Sequence, residues 1–283
     1  MLGQQEEAVP IDPAFLPLRS DNARPAWREL QLLIALYREG TYLRHGLTGL
    51  FSPKFALKAR MPGQRFLEFA QAALEADVVF INPFPQIGYW SYNVWVQGEG
   101  AHPGLTCAAQ KLLDASGVAL HVRETPRHGP GTLAYCNFWV GSARFWERYV
   151  GGVLEPIARF LETEPEHPAA LEVMRDTAHT DAAPYLPFIV ERLFSTFLSQ
   201  NDDLRVRPYV MGAHEVPDYC INDFERLLYS RLRDEVDAAD RTGYFPSDLR
   251  ERMDLGCCLW QQHFFDLYCL IPHPHTGRRL SAV

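Results

Sequence analysis

A four-residue apolar run, VVFI at residues 78–81, constrains the fold more than any other part of the sequence. Asp77 precedes this run, which leads directly into residues 82–104, where aromatic residues, amides, prolines and glycines are crowded together. A short apolar run bounded in this way predicts a buried strand. Open α/β sheets bind ligands beyond the carboxyl ends of their strands, so residues 82–104 are a candidate functional segment.

Further apolar runs alternate with amphipathic helical segments along the chain up to residue 210. The runs predicted to form strands are AFLPLRS, LTGLF, VALHV, AYCNFWVG and RVRPYV. This alternation predicts an open, mixed α/β sheet with flanking helices. The later sequence is dominated by helical spacing of its apolar residues. We therefore predict an α/β domain over residues 1–210 and a helical C-terminal extension over residues 211–283.

Composition limits the classes of partner. The chain has a formal net charge of −8 and no long basic block, which argues against a general affinity for nucleic acid or anionic lipid. Its six cysteines are widely scattered and its N-terminal residues do not resemble a signal peptide, so we expect a reduced, cytoplasmic protein. No stretch approaches the roughly 18 consecutive apolar residues of a membrane span, so we expect no transmembrane segment.

Several common catalytic signatures are absent. The sequence contains no GxGxxG after a strand, no Walker GxxxxGK[ST], no GxSxG and no HExxH. Each of these motifs supplies a defined part of a reaction. Their absence argues against NAD enzymes, P-loop ATPases and standard serine hydrolases.

The segment 82–104 combines directional polar groups with flat aromatic faces, a combination that suits a sugar or a nucleotide base. Its aromatic residues include Tyr89, Trp90, Tyr92 and Trp95. The alternative is a rigid structural loop, in which the aromatic rings pack on the sheet and the amides satisfy the backbone. The polar residues are the stronger functional candidates; they are Asn82, Asn93, Gln97, Glu99 and His102.

Two other clusters carry charge. In GLFSPKF, residues 49–55, Lys54 follows a strand-like run, where it can stabilise a departing diphosphate; the alternative is a surface lysine. In PYLPFIVERLFSTFLSQND, Glu191 and Arg192 interrupt an apolar helix face, which predicts a half-buried carboxylate able to accept a proton from an attacking hydroxyl. A Glu191–Arg192 or cross-helix ion pair is the structural alternative.

Three of these segments resemble a group of bacterial proteins that are encoded with surface-polysaccharide genes and regarded as glycosyltransferases. Those relatives carry the patterns GLFSxKF, DVxxxNPFP and NVWxQGExxHPG. The matching segments here are GLFSPKF at 49–55, DVVFINPFP at 77–85 and NVWVQGEGAHPG at 93–104. Later, NFWVGSARFWERY at 137–149 and PFIVERLFSTFL at 187–198 are similar to the acceptor-side half of some polysaccharide glycosyltransferases with a nucleotide-diphospho-sugar fold.

The resemblance implies a nucleotide-diphospho-sugar transferase (GT-A)-like core that moves a sugar from a nucleotide-sugar donor to a growing bacterial surface glycan or lipid-linked glycan. In this interpretation Glu99 and Glu191 compete for the role of general base, and Lys54 contacts the donor diphosphate. The other predicted donor or substrate contacts are Asp21, Asn22, Asn82, Asn93, Gln97, His102 and Arg192. The protein would act in the cytoplasm, with a peripheral position at the inner membrane left open.

The sequence departs from the wider glycosyltransferase pattern at the metal site. Such enzymes commonly carry an Asp-x-Asp at a strand end to hold a divalent metal, whereas the run 78–81 ends in Asn82 and Pro83. We therefore predict no metal ligand. Two possibilities stay open: basic residues alone hold the diphosphate, or Mn²⁺ or Mg²⁺ is bound by an unusual set of ligands.

Two other functional classes fit the same residues. A glycan-modifying hydrolase requires two carboxylates at a reactive separation, for which Glu99 and Glu191 are the obvious pair. A non-catalytic glycan-binding or assembly protein is consistent with the missing Asp-x-Asp and with the aromatic richness of residues 82–104. A transferase is expected to bind a nucleotide-sugar and turn it over. The glycan-binding protein would bind glycan without turning over any donor.

Overall fold

The computed structural model describes residues 11–18, 21–177, 183–274 and 277–280. Its strands are short: β1 Thr48–Gly49, β2 Val78–Ile81, β3 Trp139–Gly141, β4 Asp176–Thr177, β5 Ala183–Pro184 and β6 Val206–Tyr209. Helices occupy 57% of the chain, so helix packing rather than the sheet provides most of the core. The coarse prediction of a mixed α/β fold is confirmed.

The helices follow from amphipathic spacing and local end signals. The first six are α1 Glu29–Arg38, α2 Phe55–Ala59, α3 Gly63–Gln71, α4 Val94–Ala101, α5 Leu105–Ser116 and α6 Ala143–Phe145. A π-helical segment, Trp146–Leu154, joins α6 to α7. The remaining helices are α7 Glu155–Thr163, α8 Pro168–Val173, α9 Tyr185–Ser199, α10 Val216–Tyr219, α11 Asp223–Thr242 and α12 Ser247–Leu270. Short 3₁₀ turns lie at Pro25–Trp27, Thr41–Arg44, Pro85–Tyr89 and Val122–Glu124.

Four strands form one small mixed sheet in the order β1-β3-β2-β6. Strand β3 pairs antiparallel with both β1 and β2, whereas β2 and β6 are parallel. In the central register Val79 lies opposite Val140 on one side and Arg207 on the other. All four residues of β2 are buried, as its continuous apolar sequence predicts for a central strand.

Two predicted strands are wrong. AFLPLRS is not a strand over residues 14–18, where Leu16 is 94% exposed and has no core to face; residues 19 and 20 lie outside the described part of the chain. VALHV at 118–122 buries alternate side chains, but its backbone groups form hydrogen bonds with side-chain amides rather than with another strand. Gln110 accepts from the Val122 N–H and donates to the Leu120 carbonyl, so no neighbouring strand is needed.

Helix α9 packs against the sheet and against helices α1, α4, α5 and α8. The Phe194 ring stacks on Trp139 of β3 at a centroid distance of 5.9 Å and meets Phe80 of β2 edge-on at 5.4 Å. Aromatic pairs of these geometries add to the free energy of burying the rings. The helix is therefore held on most of its circumference, and few of its side chains remain available to the surface.

The later helices pack on the segment that follows β2. Helix α11 contacts the turn Pro85–Tyr89 and helix α12 contacts α4. Buried residues of these helices belong to the same apolar cluster as the sheet. The division into domains 1–210 and 211–283 stays a prediction.

Asp77, at the start of β2, connects three neighbouring segments. Its side chain is 1% exposed and accepts from the Arg205 N–H at 2.9 Å and from the Arg144 guanidinium at 2.9 Å, while its carbonyl accepts from the Ser142 N–H at 2.8 Å. Burial alone would raise the pKa of Asp77, but the N–H groups of Arg205 and the charge of Arg144 hold that pKa below its ordinary value.

We predict that Asp77→Asn lowers the free energy of unfolding by about 1–3 kcal/mol at pH 7, because it leaves charged donors facing a neutral amide. A carboxylate whose folded pKa is depressed stabilises the fold above its unfolded pKa. The difference between the two proteins should therefore be complete at neutral pH and shrink below about pH 4. Urea unfolding at several pH values measures it. Asp202→Asn, at an exposed site, is the control and should cost under about 0.5 kcal/mol.

Candidate functional site

A cavity of about 450 Å³ opens between α2, the turn Pro85–Tyr89, α4, α9 and α12. Five of the ten predicted site residues line it, drawn from all three sequence clusters: Lys54, Gln97, His102, Glu191 and Arg192. Cavities of this size accommodate small-molecule ligands. The structure thus brings together residues that are more than 130 positions apart in the sequence.

Arg192 fixes the wall between α4 and α9. It is 4% exposed and donates to the Val94 carbonyl at 3.0 Å, to the Phe188 carbonyl at 2.9 Å and to the Gln97 side chain. A Cβ at Gly98 would lie 2.3 Å from Arg192 Nε, so the glycine is what allows the guanidinium to approach the helix. Three of its donors are used by the protein itself, which makes Arg192 a positioning residue.

Two lysines and an arginine form the basic wall of the cavity, made of Arg28, Lys54 and Lys58. Lys58 Nζ lies 3.2 Å from Cys136 Sγ. Burial alone would lower the pKa of Lys58, but Cys136, Glu191 and Glu29 raise it above its ordinary value, so the ammonium is charged. Lys58 was not among the predicted site residues, although its position four residues after Lys54 on a helix could have indicated it.

Two carboxylates lie next to the basic wall. Glu191 accepts from the Cys136 N–H at 2.7 Å, and Glu29 accepts from Asn137 Nδ2 at 2.8 Å. Burial raises the pKa of Glu29, and the hydrogen bond from Asn137 offsets only part of that effect. Glu191 adds a repulsion that raises it further. Glu29, whose pKa is raised, therefore lies close to a second carboxyl group, Glu191, and to Lys58.

The backbone beside the basic wall is strained. Arg28, which caps α1, has φ 47° and ψ −121°, and Cys136 has φ 64°. Residues other than glycine rarely adopt a positive φ, which costs about 1–3 kcal/mol at each such residue. Burial also raises the pKa of the Cys136 thiol to about 12, and the nearby Lys58 opposes that effect.

A second wall of the cavity combines amide, carboxyl and aromatic side chains. We call it the amide–aromatic wall; it consists of Gln86, Glu225, Trp260 and Phe264. Glu225 accepts from Trp260 Nε1 at 2.9 Å, from the Ile221 N–H at 2.9 Å and from Gln86 Nε2 at 3.4 Å. Burial raises the pKa of Glu225, against the opposing effect of these donors.

Three predicted residues of the segment 82–104 hold local structure instead of lining this cavity. Asn93 caps α4 by accepting from the N–H groups of Trp95 and Val96, and Asn82 accepts from those of Phe84 and Tyr135. Glu99 accepts from the N–H groups of Gly104 and Thr106 at the start of α5. Burial would raise the pKa of Glu99, but these two N–H groups hold it below its ordinary value.

The other two predicted residues, Asp21 and Asn22, are exposed in the segment before α1 and do not line the cavity. Asp21 accepts from the Ala23 N–H at 3.2 Å, and Asn22 accepts from Gln31 Nε2 at 2.6 Å. These contacts stabilise a turn. The expectation that they lie at the end of a strand fails because AFLPLRS does not form one.

The aromatic residues of the segment 82–104 fit the structural alternative. Trp90 and Trp95 are buried, and Trp95 Nε1 donates to Thr196 at 2.8 Å. Tyr89 packs edge-on against Tyr229, and Tyr92 against Phe245. Of the aromatic residues in this segment, Phe84 lines the cavity; the other aromatic rings there come from outside it: Tyr135, Phe188, Trp260, Phe264 and Phe265.

Comparisons with protein-family models, curated proteins and solved structures find no match to this chain. The family resemblance and the GT-A assignment therefore stay predictions. Within the described residues, no group of three or more His, Cys, Asp or Glu side chains is placed to hold a metal ion. The described helices include none that is both long and apolar enough to cross a membrane.

The contact between Gly98 and Arg192 predicts an unusual response to alanine. A glycine-to-alanine change in a helix interior normally stabilises by up to about 1 kcal/mol. Gly98→Ala should instead lower the free energy of unfolding by about 1–3 kcal/mol, because its methyl group displaces the buried guanidinium. Chemical denaturation measures both variants. The matched control is Gly152→Ala, an exposed helical glycine whose nearest neighbour is 3.8 Å away, and equal values for the pair would contradict the contact.

Proposed function

We propose that the protein is a glycosyltransferase that moves a sugar from a nucleotide-sugar donor to a growing surface glycan. The observation that carries the proposal is the cavity in which the lysine of GLFSPKF, the Gln97 and His102 of NVWVQGEGAHPG and the Glu191 of PFIVER meet. These are the segments on which the resemblance to surface-polysaccharide glycosyltransferases rests. A nucleotide-sugar-binding core of the GT-A type is part of the proposal.

The basic wall supports donor binding. A diphosphate leaving group gains negative charge as the glycosidic bond breaks, and positioned cations stabilise that charge. Arg28, Lys54 and Lys58 line one cavity, and the charged form of Lys58 is favoured by its carboxylate neighbours. In this proposal the three residues hold the diphosphate, either alone or together with a Mn²⁺ or Mg²⁺ ion.

Glu191 is the proposed general base. It lines the cavity, and its bond from the Cys136 N–H orients the carboxylate next to the basic wall. Glu99 is the weaker candidate, because its carboxylate is engaged at the start of α5 and does not line the cavity. Glu29, which accepts from Asn137, is a second carboxyl group near Glu191, but like Glu99 it does not line the cavity.

Donor binding is tested by thermal unfolding of the full chain with nucleotides and nucleotide-sugars based on uridine, guanosine, thymidine and cytidine, each with and without Mn²⁺. A ligand at 100 times its Kd should stabilise the protein by about 2.7 kcal/mol, which corresponds to a Tm rise of roughly 5–10 °C. Lys58→Gln should abolish most of that rise. Lys111→Gln, at an exposed lysine on α5, is the control and should retain it.

Catalysis is tested with Glu191→Gln. The glutamine oxygen can still accept from the Cys136 N–H, so fold and donor binding should be retained, whereas sugar transfer should fall by about 100-fold or more because the proton acceptor is lost. Transfer to a glycan acceptor, and release of free sugar from glycans, are both measured by chromatography. Donor binding with full activity in the variant would exclude Glu191 as the base. Sugar release that does not depend on a donor would indicate the hydrolase. Glycan binding without either activity would indicate the assembly protein.

A further inference from the structure

Arginine side chains cover aromatic rings on a surface of the protein that does not line the cavity. Arg207 Cζ lies 5.6 Å from the centroid of the Phe69 ring, and Arg65 Cζ lies 5.7 Å from that of the Tyr209 ring. The Phe69 and Tyr209 rings meet edge-on, with their centroids 5.0 Å apart. The contact between the rings therefore joins the two arginines into one unit.

Helix α3 and strand β6 each supply one arginine and one ring to this unit. Arg65 and Phe69 are four residues apart on α3, and Arg207 and Tyr209 are two residues apart on β6, so each pair projects from one face of its element. Strand β6 is at the edge of the four-stranded sheet. The arginine of each element covers the ring of the other, which positions the two guanidinium groups relative to each other.

A third arginine extends the surface. Arg60 Cζ lies 5.4 Å from the centroid of the Tyr219 ring, and its guanidinium donates to the Asp218 carbonyl. Burial and the nearby Glu215 raise the pKa of Tyr219 to about 12, whereas Arg60 and Arg65 oppose that effect, so both cations lie near this phenol. We call this surface the arginine–ring patch; it consists of Arg60, Arg65, Phe69, Arg207, Tyr209 and Tyr219.

Arg65 and Arg207 keep their hydrogen-bond donors available. Both residues are exposed, and among the described residues neither guanidinium has an ion pair or a hydrogen-bond acceptor. A guanidinium that covers a ring uses its flat face, so its in-plane N–H groups can still bind an anion through two parallel hydrogen bonds. The rings restrict the arginine side chains before any ligand arrives, which reduces the conformational entropy lost on binding.

The covered rings argue for one class of polyanion over another. Surfaces that bind single-stranded nucleic acid combine cations with free aromatic faces on which bases stack. In the arginine–ring patch the arginines lie over those faces, so the patch offers charge without a stacking surface. The net charge of −8 disfavours long-range attraction of any polyanion, so binding depends on direct contacts with the arginines.

We propose that the arginine–ring patch binds an acidic glycan chain, whose carboxylate groups accept hydrogen bonds from Arg65 and Arg207. The inference rests on the proposed function, because a transferase that extends a surface glycan needs a place for the part of the chain already made. No residue of the patch lines the cavity, so the patch would hold the chain away from its reacting end.

Binding is measured by isothermal titration calorimetry on the full chain with galacturonic acid oligosaccharides. Their methyl esters are the matched probe, since they have the same backbone without the charge. The wild type should bind the acid at least tenfold more tightly than the ester, because only the carboxylates pair with the guanidinium groups. The double variant Arg65→Gln, Arg207→Gln should lose that preference. A wild type that does not prefer the acid would overturn the proposal.

Two further double variants separate the arginine contacts from net charge. Arg231→Gln with Arg241→Gln removes the same charge from exposed positions on α11 and should bind as the wild type; an equal loss in this control would overturn the proposal. Arg65→Lys with Arg207→Lys keeps the charge but removes the planar donors, so the affinity should fall severalfold. Unchanged affinity in the lysine variant would contradict the paired hydrogen bonds.

The remaining outcomes assign the patch to another role. Tighter binding of oligothymidylate than of the acidic oligosaccharide would indicate a nucleic-acid surface and overturn the proposal. Charged side chains on edge strands also prevent pairing between copies of a protein. Self-association of the glutamine variant in light scattering, with unchanged affinity for the acidic oligosaccharide, would mean that Arg207 only protects the edge of β6 and would equally overturn the proposal.

The patch and the proposed transferase can fail separately. Arginine-dependent binding of the acidic oligosaccharide by a protein that binds no nucleotide-sugar would support the patch and contradict the transferase. Nucleotide-sugar binding without a preference for the acidic oligosaccharide would overturn the patch and leave the transferase standing. If both hold, the glutamine variant should show a raised KM for a long acidic acceptor and an unchanged KM for a monosaccharide acceptor.

Discussion

The buried guanidinium of Arg192 is the interaction on which the candidate site depends. It crosses from α9 to the first turn of α4 and bonds backbone carbonyls on both helices. Burying an unpaired charge is costly, so the two helices cannot separate without exposing those carbonyls and leaving the cation with fewer partners. The burial lowers the pKa of Arg192, and the neighbouring Glu191 opposes that effect. The position of the Glu191 carboxylate at the cavity is therefore a consequence of the Arg192 contacts.

The sequence pattern located strands better than it located their partners. The apolar run at 78–81 forms the buried central strand, and parts of LTGLF, AYCNFWVG and RVRPYV pair around it. The same kind of pattern at 118–122 failed, because the side chain of Gln110 satisfies backbone groups that a strand would otherwise have offered to a neighbour. Periodicity reports burial, whereas strand pairing depends on hydrogen bonds between distant residues that one sequence does not reveal.

The candidate site shows the same division. Lys54 and Glu191 could be predicted because each stands out against apolar neighbours within its own segment. Asn93 and Glu99 stood out equally, yet their acceptors serve the N–H groups at helix starts, which are local requirements that any helix has. Gln86 gave no local signal. Its hydrogen bond to Glu225, 139 positions later, could be recognised only once the chain was folded.

The two walls of the cavity differ in charge for a physical reason. Burial alone would lower the pKa of Lys58, but Cys136, Glu191 and Glu29 oppose that effect, so the surroundings of the basic wall favour its charged form. A diphosphate bound there would take over the role of counter-ion and repel the carboxylates. The amide–aromatic wall contains no cation, so a diphosphate is expected at the basic wall alone.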